Sequence, residues 1–435
     1  MLTRRSFLWL TSAAAGLSVT PASAQRRGGG ETAGALPPSL AALTSMRDKA
    51  KPITADERRG RIEKAKRLMG EQKIDAIILA GGTSLNYFTG IRWGNSERLF
   101  AVVIPKVGNP YIVTPAFEED RTREQLVAGP MAHTDISVYQ EDESPFEKVA
   151  QGLKDRGIAT GRIGVEETTK FVFADSVGSA APALRVTSAS PITAGCRMIK
   201  DAHEVELMRV ACQATLKAYE AVFRALQPGM TQNQVSNLIT AAHSRLGFAG
   251  SASVQVGEYT ALPHGSITPQ TIREGTIIMI DGGCSAEGYQ SDITRTFVLG
   301  KPTDKMKKVF DIVHQAQTAA LKAARPGVPL ESIDAAGRKV VVDAGYGPGF
   351  KYFTHRLGHG MGMDGHEWPY LVKNNMYGWD KALKAQPGMV FSDEPGIYIR
   401  GEFGVRLEDD MHITADAAEL FTPQSPSIEQ PFGTS

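Results

Sequence analysis

The sequence predicts an α/β domain followed by an α+β domain. Three observations carry this expectation. The chain has 435 residues, more than one core usually serves. From residue 52 to 196, helical patterns alternate with short apolar runs, as in helices packed on a buried sheet. Beyond residue 197, two apolar runs flank a hairpin-like turn between longer helical patterns, which puts antiparallel strands and helices in one domain.

Taken in order, the chain opens with Thr3-Arg4-Arg5-Ser6-Phe7-Leu8, the apolar run Leu8 to Val19 and the small-residue group Ala22-Ser23-Ala24. Together these read as a twin-arginine signal peptide over 1–24, which predicts export of a folded protein to the periplasm. The apolar run is too short to span a bilayer, and no later segment reads as a membrane span. Residues 25–51, beginning with the Gly-, Arg- and Pro-rich stretch Gln25 to Pro38, read as a linker.

The first domain, 52–196, starts with capping-box spacing at Thr54 and Glu57. Ile62, Ala65, Leu68 and Met69 follow at helical spacing. Ile74 to Ala80, Leu99 to Ile104, Tyr111 to Thr114 and Arg162 to Val165 read as strands, and Phe146 to Leu153 as a helix. In the second domain, 197–425, Met208, Cys212, Leu216, Tyr219, Phe223 and Leu226 share one helix face, and Pro228-Gly229 stops that helix. Thr231 and Gln234 cap the next helix, which ends at Gly247. Thr276 to Ile280 and Ile293 to Leu299 read as strands around the turn Ala286-Glu287-Gly288. Lys305 to Ala324 and Leu330 to Ala344 read as helices, and 426–435 as a tail.

Composition narrows the function classes. Hydrophobic residues make up 42% and charged residues 22%, ordinary for a globular protein. A net charge of +1 gives no reason to expect a nucleic-acid or acidic-membrane partner. Cys196, Cys212 and Cys284, without CxxC spacing, offer neither a disulfide framework nor a thiolate metal site and are expected to be buried.

Five side chains stand out as candidate metal ligands. Asp281 ends an apolar strand and Asp292 begins the next, so a hairpin would bring both carboxylates to one rim. An isolated charge there would be costly without a partner. His359 lies in Gly358-His359-Gly360, Glu394 in Asp393-Glu394-Pro395-Gly396, and Glu408 in Arg406-Leu407-Glu408-Asp409. Four carboxylates balance two divalent cations about 3.5–4 Å apart. One imidazole among oxygen ligands favours Mn²⁺, with Co²⁺ or Zn²⁺ as alternatives. Gly360, Gly362 and Gly365 match GxGxxG only formally, because Pro369 discourages the helix that a dinucleotide site requires.

Ile280-Asp281-Gly282-Gly283 with Ser291-Asp292-Ile293-Thr294-Arg295-Thr296, then Gly358-His359-Gly360-Met361-Gly362, Glu394-Pro395-Gly396-Ile397-Tyr398 and Gly404-Val405-Arg406-Leu407-Glu408-Asp409-Asp410 resemble, in order, the four motifs of the pita-bread metallopeptidase family. The two-domain layout is similar to that of its aminopeptidase P, prolidase and creatinase branch. The resemblance implies an α/β N-terminal domain followed by an α+β pita-bread (creatinase/aminopeptidase-like) catalytic domain. It implies that Asp281 binds one metal through both oxygens, that Asp292 and Glu408 bridge the pair, and that His359 and Glu394 hold the second. Glu394 would also shuttle a proton. His264, His355 and His366 would hold substrate and stabilise the tetrahedral intermediate, and Arg406 would order the ligand shell or the substrate.

The expected function is hydrolysis of the Xaa-Pro bond at peptide N-termini, aminopeptidase P-like. The alternative is an Xaa-Pro dipeptidase, and beyond it a creatinase-like hydrolase or a non-enzymatic binding protein of the same fold. Some prolidases of the family carry an arginine four residues after the histidine matching His366. Tyr370 stands there, which weakens the dipeptidase reading unless another base such as Arg356 substitutes. A homodimer is expected by resemblance, with Tyr87 to Trp93 either at the neighbour's active site or in the core.

Overall fold

The computed structural model of the chain describes residues 35–433. The signal peptide expected over 1–24 and the first part of the expected linker lie outside the described residues.

The helix Ala55–Gln72 begins with a reciprocal capping box between Thr54 and Glu57 and ends at Lys73 in the left-handed conformation. That turn delivers the chain into Ala76–Leu79, a central strand of a six-stranded mixed sheet. The strands lie in the order 135–139, 111–115, 101–105, 76–79, 161–165, 184–188. Side chains alternate across it. Ile77 and Leu79 join Ala65 and Met69 in one core, while Ala76 and Ile78 join Val149, Leu153 and Phe173 in the other. Both sheet faces are thus covered, which is why the inner strands read as continuous apolar runs. The edge strands Asp135–Tyr139 and Leu184–Ser188 are partly exposed and lack such runs, so the sequence reading did not find them.

The second domain opens with the helices Ala202–Phe223 and Gln232–Leu246, both started by capping boxes, the second closed by Gly247 at φ 90°. Their apolar faces cover an antiparallel sheet in the order 293–298, 277–286, 249–256, with Tyr289–Gln290 paired to 277–286. Glu287 and Gly288 both have positive φ, which suits a two-residue hairpin turn. A second sheet runs 367–371, 358–360, 390–393, 409–413, 418–420, all antiparallel, beside the pair 396–399 and 403–406. The helices Asp304–Ala323 and Leu330–Asp343 pack on it. A bridge between Thr294 and Glu408 stitches the two sheets together.

Two boundaries differ from expectation. Residues 37–51, read as linker, carry the short helix Pro38–Ala41 and bury Leu40, Met46 and Ala50 in the core of the second domain. The polar composition hid three apolar anchors. In the expected tail 426–435, Ile428 is buried in the catalytic core. Tyr87, Phe88 and Ile91 are core residues of the first domain, so they are not available to a neighbour. All three cysteines are free and buried. Among the described residues, no helix is long and apolar enough to cross a membrane.

Candidate metal centre

Strand register assembles the site. Asp281 pairs with Thr294 across the hairpin, so Asp292, two residues before Thr294, is its diagonal neighbour on the same face. The second sheet supplies the other side. His359 lies on its strand Gly358–Gly360, Glu394 directly follows the strand Val390–Asp393, and Glu408 sits at the stitch to Thr294. The glycines around His359 serve the sheet. A Cβ on Gly358 would fall 2.0 Å from the Ser392 carbonyl oxygen, and one on Gly360 2.6 Å from that of Glu367. They let neighbouring backbones close in around the histidine.

All five expected ligands meet. One ligand atom each from Asp281, Asp292 and Glu408 lies within 4.8 Å of the others, and so does a second triad of His359, Glu394 and Glu408. His359 Nε2 is 3.4 Å from Glu394 Oε1 and 4.0 Å from Asp292 Oδ2. Its Nδ1 lies 3.2 Å from the Gly360 carbonyl, which accepts that proton and leaves the Nε2 lone pair for a cation. Burial and the neighbouring His366 hold His359 well below the usual histidine range, and so neutral.

The carboxylates require a counter-charge. Burial first, then their mutual repulsion, pushes Asp292 and Glu394 well above the usual carboxylate range and Glu408 up to about 7. Arg406, 2.6 Å from Asp281 Oδ2 and 3.9 Å from Glu408 Oε2, is one cation against four acids. A pair of divalent cations fits this donor set in charge, hardness and arrangement. Asp281 and Asp292 would hold them from the first sheet; His359, Glu394 and Glu408 would do so from the second.

A cavity of about 550 Å³ opens on these residues and is also lined by His264, His355, His366 and Arg406. His366 stacks on His359 with ring centroids 3.7 Å apart and forms a third close triad with Asp292 and His359. Arg356 Nη2 donates to His366 Nδ1 at 3.1 Å, so neutral His366 carries its proton on Nε2. His355 is committed differently. Its Nδ1 donates to the Arg356 carbonyl at 2.7 Å, and its Nε2 accepts from the Tyr398 hydroxyl at 2.7 Å, which in turn accepts from Arg406 Nη1 at 2.9 Å. Both nitrogens are engaged, which makes His355 a link between Arg406 and the cavity wall rather than a free donor to substrate. Burial, with Arg406 beside it, drops it to about 3.

The sequence reading missed several partners. The Thr294 hydroxyl lies 3.0 Å from Asp281 Oδ1 and 2.5 Å from Glu408 Oε2. Ser392 Oγ accepts from the His359 amide and donates to Glu394 Oε1. Asp410 Oδ2 accepts from the Asp292 amide at 3.1 Å. Thr294 and Asp410 lay inside the quoted motifs and could have been singled out. Phe350, and Val372 with Met376 from a second segment, form an apolar wall of the cavity and carried no local signal.

The comparisons with known proteins agree with this geometry. Residues 61–199 match the model of the creatinase/prolidase N-terminal domain, and 206–415 that of metallopeptidase family M24. An Xaa-Pro dipeptidase of Lactobacillus delbrueckii subsp. lactis is 32% identical over 85% of this chain and 98% of its own. Among solved structures, dipeptidase PepE from Mycobacterium ulcerans superposes with a TM-score of 0.80 at 31% identity, over 87% of this chain and 99% of that one. A prolidase from Thermococcus sibiricus gives 0.75 at 28%, over 86% and 98%.

Proposed function

As the chain belongs to metallopeptidase family M24, a family of metal-dependent hydrolases, we propose that it is an Xaa-Pro dipeptidase using two divalent cations. This is the alternative weighed against an aminopeptidase P-like enzyme, and the dipeptidase and prolidase relatives favour it. The observation that carries it is Arg356. Its guanidinium lies over the Tyr370 ring at 4.3 Å and lines the metal cavity, where its Nη2 donates to His366 Nδ1 at 3.1 Å. Tyr370 thus holds up a base in the region where the expected arginine is missing. A guanidinium on the wall of this cavity suits the terminal carboxylate of a dipeptide.

When bound, the two cations activate water and polarise the scissile carbonyl. The chain supplies the rest. Glu394, itself one of the clustered carboxylates, is placed to take a proton and return it to the leaving nitrogen. His366 presents Nε2–H as a donor to developing oxyanion charge, and His264 lines the same cavity.

The test compares an Xaa-Pro dipeptide with a tripeptide of the same start. The Mn²⁺-loaded protein should favour the dipeptide, and Arg356→Ala should raise its KM on the order of 10- to 100-fold. Preference for the tripeptide, with no effect of Arg356→Ala, would return the reading to an aminopeptidase. Undiminished activity in chelator, or in Glu394→Ala, would remove the two-metal hydrolase altogether.

Three narrower proposals accompany this one. Mn²⁺ is the working metal, because oxygen donors dominate the set; higher activity with Zn²⁺ at equal occupancy would count against it. The chain is exported to the periplasm, which fractionation of cells with Arg4 and Arg5 replaced by lysine would check. It forms a homodimer, which a monomeric sedimentation profile would refute.

A further inference from the structure

His366 is flanked by two acids, Asp364 and Glu367, that take no part in the ligand cluster. Both meet Arg197, which ends the helix Ser190–Arg197 at the junction of the two domains. Arg197 Nη2 lies 2.6 Å from Asp364 Oδ2 and 2.5 Å from Glu367 Oε1. Lys200, almost fully buried, is 3.5 Å from Glu367 Oε2. The Asp364 amide also donates to Glu367 Oε1 at 3.0 Å. The first domain joins in. Thr83 Oγ1 donates to Asp364 Oδ1 at 2.5 Å, and Ser84 Oγ accepts from Arg197 Nη1 at 3.3 Å. From the other side, the Gln290 amide donates to the Gly362 carbonyl at 2.8 Å. The segment between His359 and Glu367 is therefore gripped on both flanks, and His366 is the cavity-lining residue it carries. Two buried cations set against two acids balance the charge, and the buried Glu367 left alone would be expensive.

We propose that Arg197 is a positioning residue for His366. Through Asp364 and Glu367 it holds the segment so that the His366 ring stays stacked on His359 and its Nε2 stays in the cavity. The first domain then contributes to catalysis through Thr83, Ser84 and the junction.

The proposal rests on the peptidase reading for its kinetic test. Arg197→Ala should lower kcat on an Xaa-Pro dipeptide about 10- to 100-fold, with KM and bound metal little changed. In a His366→Ala background the same substitution should cost less than about threefold, because the step it supports is already gone. A clamp that only stabilises the fold would give equal losses in both backgrounds, and that result overturns the proposal. Should Arg197→Ala fail to fold, Thr83→Val removes a single hydrogen bond to Asp364, and the same non-additivity with His366→Ala is expected. A crystal structure of metal-free Arg197→Ala gives a readout independent of activity. His366 displaced from His359 supports the proposal, and an unmoved ring refutes it. If the wild type cleaves no Xaa-Pro peptide, the peptidase reading falls, while the position of His366 still decides this one.

Discussion

At the scale of single residues, Asp292, Glu394 and Glu408 contribute to the pH behaviour of the metal-free protein. Burial raises each above its unfolded value, so each takes up a proton on folding. Their contribution to stability is complete below the unfolded values, 3.8 for Asp292 and 4.5 for the glutamates, and is lost as pH rises through the folded one, about 7 for Glu408. Glu408→Gln should therefore raise the melting temperature of the metal-free protein more at about pH 7.5 than at about pH 5. Cations reverse this. Protons compete with them for the same oxygens, so added Mn²⁺ should raise the melting temperature more at about pH 7.5 than at about pH 5. Thermal melts with and without metal check both statements, and an equal rise at the two pH values would contradict them. A second expectation concerns His366→Ala. With its Nε2–H removed, kcat should fall by about 10²–10³-fold while two metal equivalents per chain remain, as measured by metal analysis.

At the scale of elements, the site depends on how closely the strands approach. Gly358 lies so near Ser392 that a methyl group there would meet the carbonyl oxygen at 2.0 Å. Gly358→Ala should cost about 1–3 kcal/mol in denaturant unfolding and weaken metal binding, because His359 and Glu394 sit on the two strands forced apart. Gly365, in the segment after His359, has no heavy atom within 4 Å of an added Cβ. Gly365→Ala should stay within about 0.5 kcal/mol of the wild type. Equal effects at the two glycines would refute the close-approach argument. The capping boxes work at the same scale: Thr54 with Glu57 and Thr231 with Gln234 start their helices as the spacing predicts. Asp201 and Glu204 form another that the sequence reading passed over, and Glu204 also pairs with Arg61 across the two domains at 3.4 Å.

At the scale of the whole molecule, residues 37–51 belong to the core of the second domain. Leu40 is fully buried against the helices Ala202–Phe223 and Gln232–Leu246. Leu40→Ala should destabilise the protein by about 2–5 kcal/mol, measured by chemical unfolding. A change below about 0.5 kcal/mol would restore the linker reading. The domains are also joined by a buried polar contact, in which Arg61 donates to the Tyr289 hydroxyl and Tyr289 donates to Glu204. Such a network is costly to break from one side, so the domains are expected to unfold together.

The sequence by itself determined the two-domain fold class and singled out the five candidate ligands that the fold brings together. Both follow from local rules: buried strands read as apolar runs, and carboxylates at their ends need a counter-charge. The family motifs then ordered those residues into one site. Tertiary structure alone decided what lies between the motifs. Arg356 enters the cavity because it rests on Tyr370, His355 is tied up by Tyr398 and Arg406, and Arg197 reaches Asp364 and Glu367 from the domain junction. Each of these contacts joins residues whose partners are set by strand register and domain packing rather than by neighbours along the chain. Periodicity and motif spacing report on which face a side chain occupies; they carry no information on which distant side chain shares that face.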